Sequence, residues 1–274
     1  MTDNTPDQYC VFGNPIEHSR SPEIHRMFAN KSQQMMNYEK ILVPVNGFSE
    51  AIHAFIEKNG KGANVTVPFK EQAMALADQL SSRAASAGAV NTLTFKDGII
   101  YGDNTDGEGL VTDLLANNVT LKQQNILLLG AGGAARGVLL PLLAQQPNRV
   151  VIANRTVSKA EKICQQFADP RLTASSYSGI SNQPFDIIIN ATSASLAGEL
   201  PPITSDIINN NVVCYDMMYG KEDTAFILWS KRHGAIKVFD GLGMLVGQAA
   251  ESFNVWRSIT PPVKPVIDQL RKSL

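Results

Sequence analysis

Short runs of Val, Ile and Leu alternate with amphipathic segments along most of the chain. This alternation is typical of βα units built around a mainly parallel sheet, so it predicts a protein of the α/β class. The clearest predicted helix, 157–167, has one apolar stripe at helical spacing. The predicted strands are 10–12, 39–42, 63–66, 89–95, 125–129, 150–153, 186–190, 212–216 and 235–238.

Two glycine-rich segments interrupt this pattern. Residues 102–107, GDNTDG, form a turn-like cluster that precedes a helical pattern over 108–116. Residues 240–243, DGLG, precede a longer helix-like segment over 244–258. We predict a domain boundary at the first segment and a return of the chain to the first domain at the second.

Composition and charge narrow the classes of partner. The chain has 274 residues and a net charge of -1, so it lacks the basic field that gathers nucleic acid or anionic lipid. Its start, MTDNTPDQ, is polar where a secretory signal needs a positive and then an apolar stretch. The most apolar window, 126–143, is interrupted by Gly, Arg and Pro. We therefore expect a cytoplasmic protein that binds a small molecule and neither nucleic acid nor a membrane.

Cysteine and histidine residues give no sign of a metal site. Cys10, Cys164 and Cys214 are odd in number, widely spaced and surrounded by apolar residues, which predicts buried packing residues rather than a disulfide framework or a metal cluster. His18 and His25 have no second cluster of candidate ligands nearby in sequence, so we interpret both as structural and expect no metal.

A glycine-rich turn follows the predicted strand 125–129. In GAGGAA, the spacing of Gly130, Gly132 and Ala135 fits the dinucleotide-binding fingerprint, in which small residues allow a tight turn and close approach of a pyrophosphate. The N–H groups at the start of the next helix are suited to phosphates. The alternative is that a tight strand-to-helix turn alone requires these glycines.

The end of the next strand bears on the choice of cofactor. An NAD enzyme usually has an acidic residue there, but this chain has Asn154, Arg155 and Thr156. Arg155 is suited to grip a 2′-phosphate, and Lys159 adds a second positive charge on the same helical face. This pattern favours NADP over NAD. In the alternative interpretation Thr156 caps the helix and both cations are simply solvated.

The segment NVTVPFK, 64–70, contains candidates for substrate binding and catalysis. Strand periodicity puts Asn64 and Thr66 on one face. Pro68 suits the first position of a helix, which would put Lys70 in the first turn, where the helix dipole disfavours a cation. A residue that breaks a local rule is a functional candidate. The alternative is an exposed lysine at a helix start.

Other polar residues are suited to act with this lysine. Beside Lys70, Asp106 would orient the ammonium and accept a hydrogen bond from a substrate hydroxyl; its alternative role is an Asx turn or a helix cap. Asn91 offers an amide to the same hydroxyls. Ser19 and Ser21 are hydroxyl donors suited to a carboxylate, although capping of the following helix by Ser21 is a competing explanation.

Taken together, these segments resemble the shikimate dehydrogenase family. NPIEHSRSP, NVTVPFK, AGAVNTL, GDNTDG, GAGGAAR, NRT, NATS, YDMMYG and GLGML occur in the family's order and at family-like spacings. The resemblance implies an NADP-dependent oxidoreductase that reversibly reduces 3-dehydroshikimate to shikimate in the biosynthesis of chorismate and aromatic amino acids. It also implies an active site in the cleft between two domains, in a monomer or a homodimer.

The resemblance also implies domain and residue roles. A substrate-binding and catalytic domain would comprise 1–105 plus 242–274, and a Rossmann-type domain that binds NADP would comprise 106–241. Lys70 and Asp106 would form the catalytic pair. The other residues implied to hold the substrate are Ser19, Ser21, Asn64, Thr66, Asn91, Tyr219 and Gln248. Those implied to line the NADP site are Gly130, Ala131, Gly132, Gly133, Ala134, Asn154, Arg155, Thr156, Lys159, Thr192, Met217 and Gly241.

One departure and two rivals qualify this resemblance. Lys159 stands where relatives often carry arginine, which leaves phosphate binding in place but less bidentate. A quinate/shikimate dehydrogenase that uses NAD is the closest rival, and Arg155 weighs against it. A non-catalytic NADP-binding regulator on the same fold is the other, and the presence of Lys70 and Asp106 weighs against that.

Overall fold

The computed structural model describes residues 5–274 and divides into two compact units. The first unit contains the described residues up to Gly109 together with Val246–Leu270, and the second contains Leu110–Leu245 together with Arg271–Leu274. The sequence-based crossing points, after residues 105 and 241, each lie a few residues before those of the compact units. The functional assignment of the two domains stays a prediction.

The first unit is built on a mixed six-stranded sheet with the order β2-β1-β3-β5-β6-β4. The pairs β1–β2, β1–β3 and β4–β6 are parallel, whereas β3–β5 and β5–β6 are antiparallel. Its strands are β1 (Asp7–Gly13), β2 (Met36–Leu42), β3 (Gly60–Val65), β4 (Gln79–Leu80), β5 (Thr92–Lys96) and β6 (Ile99–Asp103). Its first helices are α1 (Ser21–Lys31), α2 (Phe48–Glu57), α3 (Lys70–Leu76) and α4 (Ser82–Ala87), and α5 (Asp106–Ala116) begins in it.

The second unit is built on a wholly parallel six-stranded sheet with the order β9-β8-β7-β10-β11-β12. Its strands are β7 (Asn125–Leu129), β8 (Arg149–Ala153), β9 (Leu172–Ser175), β10 (Ile187–Asn190), β11 (Val213–Asp216) and β12 (Lys237–Phe239). The remaining helices of the chain are α6 (Gly133–Ala144), α7 (Val157–Phe167), α8 (Ala225–Arg232), α9 (Leu242–Arg257) and α10 (Lys264–Ser273). This is the strand order of doubly wound dinucleotide-binding sheets, and it reverses between β7 and β10, where such sheets bind ligands.

Side chains on both faces of β7 are buried, as expected for a parallel strand covered on both sides. Ile126 and Leu128 pack into one apolar cluster, and Leu127 and Leu129 into another. Because β7 is anchored from both faces, the turn that follows Leu129 has a rigid base.

Aromatic residues dominate the core of the first unit. Phe12 packs edge-on against Phe48 and Phe55, and Phe48 stacks on Phe69, with ring centroids 4.9 Å apart. Buried aromatic pairs of this kind add specific contacts to the apolar area that they remove from water. They hold Phe69, and with it the start of α3, against the sheet.

Each unit contains one of the two tryptophans of the chain. In the first unit, Trp256 stacks on Tyr9 and donates its indole N–H to the carbonyl oxygen of Leu93 at 3.0 Å. In the second, Trp229 stacks on Phe226, with the ring centroids 5.9 Å apart.

The predicted α/β class is confirmed, and strand 125–129 and helix 157–167 have the predicted bounds. The predicted strand 89–95 is only partly correct, because β5 begins at Thr92 and is followed by a second strand, β6, that was not predicted. The placement of Pro68 at the first helical position is wrong. The N–H of Phe69 bonds to the carbonyl oxygen of Thr66, so Pro68 lies in a turn and α3 begins at Lys70.

The cysteines differ in their burial. Cys10 and Cys214 are fully buried, as predicted, whereas Cys164 is only partly buried, so the prediction for it is wrong. Within residues 5–274, all three thiols are free, and no cluster of His, Cys, Asp or Glu is able to hold a metal ion. None of the helices formed by these residues has both the length and the apolar character needed to cross a membrane.

Candidate active site

Lys70 and Asp106 form an ion pair in the first unit. The distance from Lys70 Nζ to Asp106 Oδ2 is 2.5 Å, and the two side chains are 31% and 19% exposed. Each residue is the first of its helix, α3 and α5 respectively. The helix start favours the carboxylate and disfavours the ammonium, so the carboxylate offsets an unfavourable position for the lysine. The pair is partly open to solvent, as a group that exchanges protons with a ligand must be.

The amide of Asn91 fixes the Asp106 carboxylate from the other side. Asn91 Nδ2 donates to Asp106 Oδ1 at 2.8 Å, while Asn91 Oδ1 accepts from the backbone N–H of Thr105 at 2.9 Å. Gln248 Oε1, on α9, lies 3.5 Å from the same Nδ2. The structure thus brings three of the predicted substrate-site residues, Asn91, Asp106 and Gln248, to one place beside Lys70.

Asn64 lies next to Asn91 and is 5% exposed. Its Oδ1 accepts from the Tyr38 hydroxyl at 2.7 Å, and its Nδ2 lies 2.9 Å from Ser252 Oγ and 3.1 Å from the backbone oxygen of Asn91. Both polar atoms of the Asn64 side chain therefore have protein partners. A direct contact with a substrate hydroxyl would have to share one of them.

Thr66 follows the end of β3 rather than continuing it. Its N–H donates to the carbonyl oxygen of Phe12 at 3.0 Å, and its side chain is half-buried. A Cβ atom on Gly13 would lie 2.6 Å from Thr66 Cγ2, so glycine at position 13 makes room for the threonine side chain.

The two serines of the first loop lie at the start of α1. Ser21 is the first residue of the helix and is buried, and its N–H donates to Ser19 Oγ at 3.3 Å. Capping of this helix by Ser21 is therefore wrong, because the N-cap residue is Arg20 and its side chain makes no capping hydrogen bond. Ser19 is partly exposed.

An arginine that the sequence did not indicate holds the turn before Asp106. Arg83 donates to Asp103 through Nε at 2.7 Å and Nη2 at 2.6 Å, and also pairs with Glu251 at 2.9 Å. Burial alone would raise the pKa of Asp103, but the hydrogen bonds from Arg83 and Ser81 outweigh it and lower the pKa. Asp103 therefore stays ionised and fixes the end of β6.

In the second unit, the glycine turn has one strained and two open positions. Gly130 has φ +106, a conformation that favours glycine, and its N–H donates to the carbonyl oxygen of Ala153 at 2.8 Å. A Cβ atom on Gly132 or Gly133 would meet no protein atom within 4 Å apart from the adjoining residues and the backbone of the glycine's own helix. The need for a tight turn therefore explains Gly130 but not the other two. Ala135 is fully buried, which lets α6 pack closely on the sheet.

The loop after β8 presents cations to solvent. Arg155 and Lys159 are exposed, and Asn154 Nδ2 donates to the carbonyl oxygen of Thr156 at 2.8 Å, which holds the loop. Thr156 is the N-cap residue of α7, but its side chain makes no capping hydrogen bond, so this part of the alternative interpretation is wrong. Burial raises the pKa of Tyr177, and the nearby charge of Arg155 opposes this effect.

A buried carboxylate organises the loops after β10 and β11. Asp216 accepts hydrogen bonds from Ser195 Oγ and Thr224 Oγ1, both at 2.6 Å, and from Asn190 Nδ2 at 3.1 Å. Asn190 Oδ1 in turn accepts from the hydroxyl of Thr192 at 2.7 Å. Burial raises the pKa of Asp216, although its hydrogen bonds partly oppose the rise. Sequence reasoning missed this network, because the partners are far apart along the chain.

Gly241 is required by close packing at the start of α9. Its N–H donates to the carbonyl oxygen of Met218 at 3.0 Å, and a Cβ atom there would overlap the backbone of Met217. Gly241 and Met217, which the resemblance places in the NADP site, are therefore neighbours in the second unit. Tyr219, two residues after Met217, is partly buried in the same unit.

These features define a class of protein. A doubly wound parallel sheet with an open glycine turn after its central strand is the architecture of a dinucleotide-binding enzyme. The partly exposed Lys70–Asp106 pair, surrounded by amides and hydroxyls, adds groups suited to proton transfer on a polar substrate.

Comparisons with known proteins agree with this class. Residues 11–93 match the family model for the shikimate dehydrogenase substrate binding domain, 113–198 that for shikimate / quinate 5-dehydrogenase, and 241–271 that for the shikimate 5'-dehydrogenase C-terminal domain. A shikimate dehydrogenase (NADP(+)) from Colwellia psychrerythraea is 66% identical over 274 residues, 100% of both chains. The chain belongs to the shikimate dehydrogenase family.

Two solved structures are also similar. An Ael1 enzyme from Pseudomonas putida has a TM-score of 0.94 and 44% identity, covering 96% of this chain and 98% of that one. Shikimate 5-dehydrogenase from Thermus thermophilus, in complex with NADP(H) and shikimate, has a TM-score of 0.87 and 29% identity, covering 98% of this chain and 100% of that one.

Proposed function

We propose that the protein catalyses the reversible, NADP-dependent reduction of 3-dehydroshikimate to shikimate, a step in the biosynthesis of chorismate and the aromatic amino acids. The observation that carries the proposal is the ion pair between Lys70 and Asp106, at 2.5 Å and bounded by the amide of Asn91. The full-length identity of 66% to an NADP-dependent shikimate dehydrogenase supports the choice of substrate and cofactor.

In the proposed reaction, Lys70 transfers the proton and Asp106 orients Lys70. When NADPH is bound, it would supply the hydride for the C3 carbonyl carbon. The Lys70 ammonium, or a water that it holds, would give the proton to the C3 oxygen. Asp106 keeps the ammonium in place and accepts from a substrate hydroxyl. Proton transfer by a positioned side chain typically contributes about 10²- to 10⁴-fold. In the reverse direction, neutral Lys70 accepts the proton from the C3 hydroxyl.

The remaining substrate residues would bind and orient the ring. Ser19 and Ser21 are assigned to the carboxylate, because hydroxyls beside a helix start are suited to an anion. The carboxylate and the ring hydroxyls are further assigned to Asn64, Thr66, Asn91, Tyr219 and Gln248. Because both polar atoms of Asn64 have protein partners, we assign it mainly to the support of its neighbours.

The second unit is suited to bind NADP. The open space beside Gly132 and Gly133 fits a pyrophosphate against the first N–H groups of α6. The exposed cations Arg155 and Lys159 are suited to the 2′-phosphate. The site is completed by Ala131, Ala134, Asn154, Thr156, Thr192, Met217 and Gly241, with Gly130 shaping the turn. In terms of domains, we assign 106–241 to NADP and 1–105 plus 242–274 to the substrate.

The use of NADP is testable through Arg155. We expect Arg155→Ala to lower kcat/KM for NADP about tenfold or more and to leave that for NAD nearly unchanged, because one charge-assisted contact to the 2′-phosphate is lost. A wild-type protein that prefers NAD, with a preference that Arg155→Ala leaves unchanged, would contradict the assignment.

The substrate is tested by assaying the purified protein with shikimate and with quinate, each with NADP and with NAD. We expect the highest kcat/KM for shikimate with NADP. Comparable turnover of quinate, with NAD preferred, would identify the quinate/shikimate dehydrogenase instead. Binding of NADP without turnover of either substrate would identify the non-catalytic regulator.

We also propose that the protein acts in the cytosol, as a monomer or a homodimer. The three free thiols fit a reducing compartment. All the residues assigned to the two ligands belong to one chain, so either assembly state contains the full set.

A further inference from the structure

His25 lies at one end of a buried chain of hydrogen bonds in the first unit. It is fully buried, stacks on Tyr38 with the ring centroids 4.2 Å apart, and has Nε2 3.2 Å from Asn64 Oδ1. Burial lowers the pKa of His25 to about 3, so the ring is neutral at neutral pH. Tyr38 donates to the same oxygen of Asn64 at 2.7 Å.

The partners of Asn64 fix the direction of its amide. Nδ2 lies 3.1 Å from the backbone oxygen of Asn91, and this oxygen can only accept a hydrogen bond. Nδ2 must therefore face it, and Oδ1 must face His25. Because Oδ1 can only accept, the proton of the neutral imidazole is on Nε2. Nδ1 is then unprotonated, and it has no hydrogen-bond partner among the described residues.

Thr92 connects the Asn64 amide to the Asn91 amide through its hydroxyl. Thr92 Oγ1 lies 3.2 Å from Asn64 Nδ2, from which it accepts, and 2.8 Å from Asn91 Oδ1. The amide oxygen of Asn91 can only accept, so the hydroxyl of Thr92 donates to it. With Oδ1 so held, Asn91 Nδ2 points to Asp106 Oδ1 at 2.8 Å.

We propose that Thr92 is a positioning residue for Asp106. The hydroxyl of Thr92 and the backbone N–H of Thr105 both donate to Asn91 Oδ1, which leaves Asn91 Nδ2 to hold the Asp106 carboxylate oxygen that is not bonded to Lys70. Thr92 is fully buried in the strand β5 and acts through Asn91. The inference rests on the role of Asp106 in the proposed function.

Substitutions at Thr92 separate positioning from packing. Thr92→Val keeps the volume of the side chain but removes the hydroxyl, and we expect it to lower kcat about tenfold to a hundredfold, with a much smaller change in KM for shikimate, because the carboxylate is misplaced rather than lost. Thr92→Ser keeps the hydroxyl but loses a buried methyl group, so it should lose stability and keep most of its kcat.

The matched control is Thr94→Val, two residues further along the same face of β5 and partly exposed. We expect it to have the kcat of the wild type. A role in packing alone would make Thr92→Ser worse than Thr92→Val, and that order would overturn the proposal. Equal kcat values for Thr92→Val and the wild type would overturn it as well.

The tautomer of His25 gives a test that does not depend on activity. In wild-type protein with ¹⁵N-labelled histidine, we expect the ¹⁵N NMR chemical shifts of His25 at neutral pH to be those of an unprotonated Nδ1 and a protonated Nε2. A protonated Nδ1 would overturn the proposed direction even if Thr92→Val does not fold. An inactive wild-type protein with the expected tautomer would instead contradict the proposed function of the whole enzyme.

Discussion

The two units form their candidate ligand sites in different ways. In the first unit, side chains from separate segments hold one another, as when Asn91 fixes the carboxylate that pairs with Lys70. In the second, the backbone forms the site: a glycine turn, a helix start and space beside Gly132 that protein atoms leave free. A site made of side chains sets the orientation of reacting groups, whereas a site made of backbone sets a shape that phosphates can enter.

This difference predicts what kind of substitution harms each site. In the first unit, the loss of one polar group should reduce turnover, because its neighbours lose their orientation. In the second unit, the gain of a single methyl group should reduce cofactor binding, because it occupies the free space. Substitutions of Lys70 and of the turn glycines test this contrast.

Lys70→Ala should have the largest effect. We expect kcat to fall at least about a hundredfold with little change in KM for shikimate, because the proton donor is removed while the groups that hold the ring remain. Steady-state kinetics measure this directly. Lys61→Ala, at a surface lysine of β3 that bonds to Asn59, is the control and should keep the kcat of the wild type. A rise in KM alone would recast Lys70 as a binding residue.

Gly132→Ala and Gly130→Ala should distinguish the loss of space for the cofactor from strain in the protein backbone. At Gly132 a methyl group would meet no protein atom within 4 Å apart from the adjoining residues, so we expect unchanged thermal stability but a KM for NADP raised about tenfold. At Gly130, φ is +106, so alanine should lower the stability by more than about 1 kcal/mol. Thermal melts and cofactor titrations measure both. A Gly132→Ala variant with wild-type KM for NADP would remove the main support for the pyrophosphate site.

The last prediction concerns stability rather than turnover: the free energy of unfolding should depend on pH through His25. Its pKa in the folded protein, about 3, lies below the ordinary value of 6.5. Between these values the unfolded chain binds a proton that the folded chain does not, so the free energy of unfolding decreases as the pH falls, by up to about 1.4 kcal/mol per pH unit. The contribution is fully present above the unfolded pKa.

Urea unfolding of the wild type and of His25→Phe, at pH values from about 7 to about 4, tests this slope. Acidic groups are common to both proteins, so the difference between the two curves isolates the histidine. Parallel curves would show that His25 is protonated in the folded protein as easily as in the unfolded chain.

The sequence predicted the second unit better than the first. The turn at Gly130 follows a strand directly, and the residues that form it are consecutive, so local pattern was enough. Lys70 and Asp106 were identified as candidates, but the hydrogen bonds that fix them join segments far apart in the chain. Nothing in the local sequence around Arg83 indicated its pairing with Asp103 and Glu251.

A glycine in the sequence does not by itself distinguish a turn from a crowded strand. The sequence GDNTDG predicted a turn from Gly102, yet Gly102 lies within β6. A Cβ atom there would lie 2.8 Å from a methyl carbon of Val90 and 2.9 Å from Cβ of Ala77, so the residue is small because its neighbours are close. A turn and a crowded strand both favour glycine, and only the contacts distinguish them.

The distribution of tryptophans makes each unit observable by its own fluorescence. Trp256 reports on the first unit from beside Tyr9 and His25, and Trp229 reports on the second from α8. With Trp229 replaced by phenylalanine, emission would come from the first unit alone, and the reciprocal replacement would isolate the second. Intrinsic emission can therefore show whether the two halves of the chain melt together or in sequence, without any attached dye.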